Sequence, residues 1–232
     1  MKFKSICSSD VEYTKNIKHY TAKDGVIAIG YYIFFMITYY FMGKIYKERQ
    51  LYIGVPCNLI LALVCILIVI CRKQKLETIG LTLKNAKKSI ILGSILGLIE
   101  VIFNNVLPSI LSGCNLNGIP TLLYNIFYYF VVIAFVEEIA FRGFIQTRIY
   151  GLIKNDIVAV IISAMMFSLM HVPFQMAVAN IDGINFILTN VAWLSLLFVW
   201  HIVMNFLYRK YNSLFANTIF HGFMDWGNSL FL

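Results

Sequence analysis

Runs of apolar residues long enough to cross a lipid bilayer constrain this chain more than any other feature. Hydrophobic residues make up 60% of the 232 residues and charged residues only 13%, whereas a soluble domain is about 25% charged. A helix needs roughly 20 apolar residues to span the hydrocarbon core. The sequence therefore predicts an all-α, polytopic membrane bundle of about seven transmembrane helices (six to eight), near residues 26–42, 51–71, 89–111, 121–141, 157–171, 186–207 and 213–231.

Residues 1–25 are polar and charged, and residues 26–232 are expected to form a single transmembrane bundle, because only short polar connectors separate the apolar runs. The tail is not expected to be a signal peptide, whose apolar core would come sooner. With seven spans, sixteen of the 19 Lys and Arg residues lie on the side of the N-terminus. The positive-inside rule then predicts a cytoplasmic N-terminus.

The basic residues flank the spans and do not gather on a soluble surface, so a nucleic-acid partner is not expected. Membrane lipids and a peptide or membrane-protein substrate are the expected partners. The composition, rich in Lys, Asn and Ile, favours an AT-rich bacterial genome and hence a bacterial plasma membrane. Oligomeric state leaves no signal in the sequence.

Two adjacent glutamates, Glu137 and Glu138, interrupt the apolar stretch IFYYFVVIAFVEEIAFRGF. A charge at bilayer depth costs a few kcal/mol, so such residues usually persist where a protein needs them. Glu138 and Arg142 are spaced i,i+4 and are predicted to pair on one helix face. Glu137 is rotated by roughly 100° from that pair. It is therefore free to face a water molecule, a metal ion or a substrate.

Two later apolar segments also carry ionisable side chains. The segment FSLMHVPF places His171 one turn after Phe167, and NSLFANTIFHGFMDW places His221 and Asp225 on one helix face. Unpaired polar groups in hydrocarbon are costly, so a shared polar pocket is their most favourable arrangement. A glutamate with two imidazoles is a ligand set for a catalytic divalent metal. The same groups without metal are suited to deprotonating a water molecule.

The order Glu-Glu-x-x-x-Arg, Phe-x-x-x-His and His-x-x-x-Asn/Asp resembles the CAAX-protease and bacteriocin-processing family (CPBP, Abi) of intramembrane proteases, which includes the type II CAAX prenyl endopeptidases. The resemblance covers about 121–231, which it identifies as the catalytic half. It implies that Glu137 activates the attacking water. It also implies that His171 and His221 bind that water or a metal ion.

The resemblance further implies that Glu138 and Arg142 form a structural or substrate-orienting pair. It places Asp225 where the oxyanion is stabilised. An asparagine there would donate a hydrogen bond, whereas an ionised aspartate would repel the developing charge. Three roles therefore stay open for Asp225: a protonated donor, an orienting partner of His221, or a metal ligand.

The predicted function is an intramembrane endopeptidase that hydrolyses a peptide bond of a membrane-associated protein or peptide. The substrate can be lipidated or unmodified. Zn²⁺ is the metal implied, with His171, His221 and Glu137 as its ligands, but metal dependence and glutamate-activated water remain alternatives. No other cofactor is expected. Two competing functions are a non-catalytic immunity or regulatory protein of the same fold and an ion-coupled transporter. The transporter is disfavoured because the sequence shows no inverted repeat.

Some polar residues are given structural interpretations. His201 and Asn205 also fit His-x-x-x-Asn, but His221 is preferred because the basic hairpin YRKYNSLFAN precedes it. His201 is therefore interpreted as a helix-packing or pocket-rim residue, and Glu100 as a hydrogen-bond partner of Asn104 or of a neighbouring helix. The cysteines contain no C-x-x-C pair and are interpreted as packing residues; they are Cys7, Cys57, Cys65, Cys71 and Cys114.

Overall fold

A computed structural model describes residues 9–232, and it is helical along most of that length. The helices in this described part are α1 (Val11–His19), α2 (Ala22–Arg49), α3 (Gly54–Cys71), α4 (Ala86–Leu111), α5 (Ile119–Ile149), α6 (Asp156–Ala179), α7 (Gly183–Thr189), α8 (Val191–Tyr211) and α9 (Phe215–Gly227). The predicted all-α bundle is therefore confirmed.

Six of these helices, α2 to α6 and α8, are long and apolar enough to cross a membrane. The predicted span 186–207 is divided in two, because Asn190 leaves the helical conformation between α7 and α8 and its amide donates to the Phe186 carbonyl. The predicted span 213–231 contains only the 13-residue helix α9. The count of long helices lies within the predicted range, and the seventh apolar segment is a short helix packed into the bundle.

The distribution of apolar side chains is that of a protein dissolved in lipid. Large aliphatic side chains point outward from the long helices, for example Leu63 and Val199, each 53% exposed. Ionisable side chains such as Glu138 and Arg142 are buried inside. Charged residues within a membrane region usually face the interior of a bundle for this reason. The interior of this bundle is therefore where a site is expected.

Helix α2 shows how the local sequence sets the ends of a span. Its first turn is capped by Thr21 and Asp24, whose side chain accepts the Thr21 backbone N–H at 2.9 Å. Reciprocal capping of this kind satisfies N–H groups that have no partner within the helix. The helix ends where Gln50 adopts a left-handed conformation with φ 53°. The span therefore extends several residues beyond the predicted 26–42 at both ends.

Helix α5 has 31 residues, which corresponds to about 45 Å. The sequence predicts such a helix, extending past Arg142 to about Gly151, because a shorter one would place Glu137 at a different depth from His171. The length is confirmed, and Glu137 lies a little beyond the middle. Wide π-helical turns occupy Tyr128–Ala134 and Glu138–Ile145 on either side of Glu137. Such turns are frequently found at functional sites.

Helix α6 consists of two segments, Asp156–Leu169 and Val172–Ala179, and His171 lies at the turn between them. Pro173 falls in the first turn of the second segment, where its missing N–H costs nothing. The sequence admits a re-entrant backbone near Pro173, but the chain continues there as a helix. The break presents His171 at the joint, away from the regular face of either segment.

The short helix α9, which carries His221, is held against α4 by closely spaced small residues. Ser89, Gly93 and Gly97 are buried on one face of α4. A Cβ at Gly93 would lie 2.6 Å from the Ala216 backbone oxygen. Small residues at four-residue spacing allow two helix backbones to approach closely in a membrane. The position of α9 therefore depends on Gly93.

Replacing Gly93 by leucine is expected to destabilise the fold by about 1–3 kcal/mol, because the neighbouring backbone of α9 cannot move aside as a flexible side chain would. Thermal unfolding in detergent measures the change. The matched control is Gly30→Leu on α2, since nothing lies within 4 Å of a Cβ built at Gly30. Equal stability of the two variants would contradict this account of the α4–α9 contact.

Candidate active site

Glu137 faces an open cavity of about 440 Å³ lined by residues of α2, α3, α5 and α6 and of the connection between α2 and α3. His171 lines the same cavity from the joint in α6. The structure thus brings together two site residues that are 34 positions apart in the sequence. The remaining walls are largely aromatic and amide side chains, including Tyr39, Tyr46, Tyr52, Asn58, Tyr128, Phe174 and Gln175.

Glu138 points to the other side of α5 and is completely buried. One oxygen, Oε1, lies 3.0 Å from a guanidinium nitrogen of Arg142 and 2.9 Å from Nδ1 of His221. The other oxygen accepts a hydrogen bond from Asn217 Nδ2 at 3.1 Å. The predicted ion pair between Glu138 and Arg142 is present. In addition, Glu138 holds the imidazole of His221 in a defined orientation.

His221 directs its second nitrogen towards Glu137. Because Nδ1 contacts the Glu138 carboxylate, the outward-facing atom is Nε2, which lies 3.9 Å from Glu137 Oε2. The same Nε2 lies 3.4 Å from Asp225 Oδ2, one turn further along α9. Of the roles open for Asp225, this geometry favours a partner of His221.

His171 is fixed in a similar way. Its Nδ1 lies 3.0 Å from the Phe167 carbonyl oxygen; a carbonyl can only accept, so Nδ1 donates and Nε2 keeps its lone pair. The Phe167 ring also packs against the guanidinium of Arg142, 3.9 Å from the ring centroid. This contact gives the Phe-x-x-x-His motif a physical role, because one aromatic ring links the buried arginine to the histidine segment.

The predicted metal ligands can be tested against this geometry. Nε2 of His171 has no hydrogen-bond partner among residues 9–232, whereas Nε2 of His221 lies 3.4 Å from Asp225 Oδ2. Both nitrogens have the chemistry of zinc donors, and the contacts of the two Nδ1 atoms resemble the outer hydrogen bonds of metal-bound histidines. However, no three His, Cys, Asp or Glu side chains within residues 9–232 are grouped closely enough to hold an ion. The donor set does not fit a metal as arranged, and metal binding stays a prediction.

Two polar residues outside the site have the structural roles expected from the sequence. His201 is buried, with Nε2 2.9 Å from Gln146 Oε1 on α5, and the Gln146 amide in turn donates to Asn205. The amide of Asn104 donates to Glu100 at 3.1 Å. The helix-packing interpretation of His201 and the local interpretation of Glu100 are therefore confirmed. The cysteines from Cys57 onwards are free, and Cys7 lies outside the described residues.

Some residues at the site do not stand out from the motifs alone. Asn58 and Tyr39 lie on α3 and α2, in the half of the chain without recognisable motifs, yet both line the cavity of Glu137. The sequence could have indicated Asn58, since it is the one amide side chain in the apolar run that forms α3. Asn217 holds Glu138 from a position one turn before His221. Its role depends on how α9 packs against α5.

A bundle of membrane-length helices, with a carboxylate and an imidazole facing an internal cavity, is the arrangement expected of an intramembrane protease. Comparison with known proteins identifies the family. Residues 119–227 match the model of the Rce1-like family, described as type II CAAX prenyl endopeptidase Rce1-like. The match includes the six nominated site residues and confirms the resemblance seen in the motifs.

The six long apolar helices and the family match support an integral membrane protein, and the family match supports a peptidase. A membrane-associated substrate fits that family. The match covers the second half of the chain, and residues 1–118 lie outside it. No curated protein and no solved structure matches the chain.

Proposed function

We propose that the protein is an intramembrane endopeptidase in which Glu137 activates the attacking water. The observation that supports this most directly is the shared cavity of Glu137 and His171 in the interior of the bundle. The position of His221 Nε2, 3.9 Å from Glu137, adds a second imidazole beside the same carboxylate. A carboxylate with two fixed imidazoles can hold a water molecule and remove its proton.

In the proposed reaction, Glu137 accepts a proton from water while the water oxygen bonds to the peptide carbonyl carbon. The π-electron pair of the carbonyl moves to its oxygen and forms an oxyanion. The carbonyl then re-forms as the C–N bond breaks, and the proton held by Glu137 passes to the leaving nitrogen. His171 and His221 orient the water and substrate through Nε2. Glu138 and Arg142 keep His221 in place without contacting the substrate.

The substrate proposed is a peptide or membrane protein presented from the lipid phase. The family name points to prenylated CAAX sequences, and the aromatic cavity wall suits a large apolar group. Both farnesylated and unmodified peptides therefore belong in the first assay. They are internally quenched fluorogenic peptides ending in Cys-aliphatic-aliphatic-X, with a free or a farnesylated cysteine.

The test uses detergent-purified wild type beside a His171→Ala/His221→Ala double variant. Cleavage by the wild type that disappears in the folded double variant supports the proposal. Equal cleavage by both would assign the activity to something other than this site. Cleavage by neither would favour a non-catalytic membrane immunity or regulatory protein, a function that the contact between Asp225 and His221 Nε2 also suits.

The same two preparations decide whether a metal takes part. If His171 and His221 are ligands, mass spectrometry should find near-stoichiometric zinc in the wild type and none in the double variant. Chelation should then abolish cleavage. Active wild type without bound metal would instead assign water activation to Glu137 alone. Zinc that is retained by the double variant would contradict the predicted ligand set.

A further inference from the structure

Asn58 is a buried polar side chain for which the hydrolytic steps above assign no role. It lies near the start of α3, immediately before the apolar run LILALVCILIVIC, and is 1% exposed. An amide in such surroundings is costly unless its hydrogen-bonding groups are used. Within residues 9–232, its side chain makes one hydrogen bond, in which Oδ1 accepts the Tyr39 hydroxyl at 2.9 Å. The amide nitrogen has no acceptor there.

The bond from Tyr39 determines which end of the amide faces the cavity. Since Oδ1 is occupied by the hydroxyl, the two N–H groups of Asn58 remain for an occupant of the cavity. Asn58 and Tyr39 both line the 440 Å³ cavity that also contains Glu137 and His171. The unsatisfied donor therefore lies in the wall of the chamber in which the proposed reaction takes place.

Negative charge develops on the carbonyl oxygen during hydrolysis of a peptide bond, and a hydrogen-bond donor placed at that oxygen stabilises it. Asp225 is a poor candidate when ionised, since a carboxylate only accepts hydrogen bonds. Nε2 of neutral His171 carries no proton when Nδ1 donates to the Phe167 carbonyl. Nε2 of His221 is directed at the carboxylates of Glu137 and Asp225. The geometry of the two Nε2 atoms suits holding the attacking water. The donor must therefore come from elsewhere in the cavity.

The other polar groups of the wall are less suitable than Asn58. The hydroxyls of Tyr52 and Tyr128 bond to each other at an exposed position, which uses one of their two protons and leaves the other in competition with water. Gln175 is exposed at the rim, where water competes for its amide. Asn58 alone combines deep burial, a neutral amide donor and an orientation fixed by a second residue. A preorganised donor in a site that excludes water stabilises charge strongly.

We propose that Asn58 donates a hydrogen bond to the carbonyl oxygen of the scissile peptide, and to the oxyanion formed from it, with Tyr39 as its positioning residue. This inference rests on the proposed endopeptidase function and adds a catalytic residue from the half of the chain outside the family match. No bond is made or broken at Asn58. Its amide accommodates the charge while the proton transfers occur at Glu137.

The experiment compares Asn58→Leu and Asn58→Asp with the wild type, using the farnesylated and unmodified quenched peptides. Both variants keep nearly the size of the side chain and remove the N–H donors. Each is expected to lower kcat by about 100- to 1,000-fold, the usual effect of losing one oxyanion donor, with KM within threefold. Tyr39→Phe should lower kcat about tenfold, because the amide remains but is free to rotate.

The matched control is Asn205→Asp, an equally buried asparagine on α8 that bonds Gln146 and does not line the cavity. This control should keep kcat within threefold of the wild type.

Asn58 variants that fold and keep wild-type kcat, beside an inactive Glu137→Gln, would overturn the role of Asn58 and leave the endopeptidase function intact. Wild type and Glu137→Gln with the same rate would overturn both. A uniform loss of folded protein in the Asn58 variants alone would assign Asn58 a purely structural role.

Discussion

Replacing Glu137 by glutamine is expected to lower the rate of peptide cleavage by at least about 100-fold, and by up to about 10⁴-fold, the range reported for a general base. Glutamine has the size of glutamate and preserves the cavity, but its amide cannot take a proton from water. The loss should therefore appear in kcat, with little change in KM or in thermal stability. Initial rates with the quenched peptides measure it.

The matched control is Glu100→Gln on α4. Glu100 is a second glutamate within a membrane helix, but it bonds Asn104 and does not line the cavity. Both substitutions replace a glutamate by glutamine. A difference between their cleavage rates therefore reflects the position of the glutamate in the structure. Activity of Glu137→Gln above a tenth of the wild-type rate, in a folded preparation, would rule out Glu137 as the base.

Replacing Glu138 by alanine is expected to cost about 3–5 kcal/mol of stability, the usual result of removing one partner of a buried ion pair. The side chains of Glu138 and Arg142 are 0% and 1% exposed. Without the carboxylate, the guanidinium would stay buried, packed on the Phe167 ring but without its ion pair at 3.0 Å. His221 would also lose the contact that orients it. Unfolding by denaturant in detergent measures the first effect, and kcat the second.

A double variant separates the charge from the packing. Glu138→Leu/Arg142→Met removes both charges and should recover much of the stability lost in Glu138→Ala, since paired removal leaves no uncompensated charge. The exposed pair of Asp156 and Arg209, with Asp156 54% exposed, is the control. Asp156→Asn should cost less than about 1 kcal/mol. A similar cost for Glu138→Ala would show that the buried pair is not required for stability.

The local sequence was sufficient for several features of the fold and site. Apolar runs of bilayer length predicted the long helices, and the i,i+4 spacing of Glu138 and Arg142 predicted their ion pair. The need to bring Glu137 to the depth of His171 predicted the unusual length of α5. The first two predictions hold because span length and helical periodicity depend on neighbouring residues alone, whereas the third used the position of His171 in another helix. The cytoplasmic N-terminus remains a prediction from charge placement.

Other features depend on contacts that sequence spacing does not encode. The pattern did not show that the last apolar segment holds only a 13-residue helix, or that α4 holds it through Gly93. It also left open which nitrogen of His221 faces Glu137. That choice follows from the bond to Glu138, which depends on the distance between α5 and α9.

The amino-acid sequence by itself determined that the chain is a helical membrane protein, and its motifs predicted that Glu137, His171 and His221 share one polar site. The cost of placing charges in hydrocarbon makes that conclusion independent of detailed packing. Only the tertiary structure decided how the site is built. It turned Glu138 away from the cavity to hold His221, and it brought Asn58 and Tyr39 from the first half of the chain to the cavity of Glu137. Such contacts join residues far apart in the chain, and they exist only once the helices have packed.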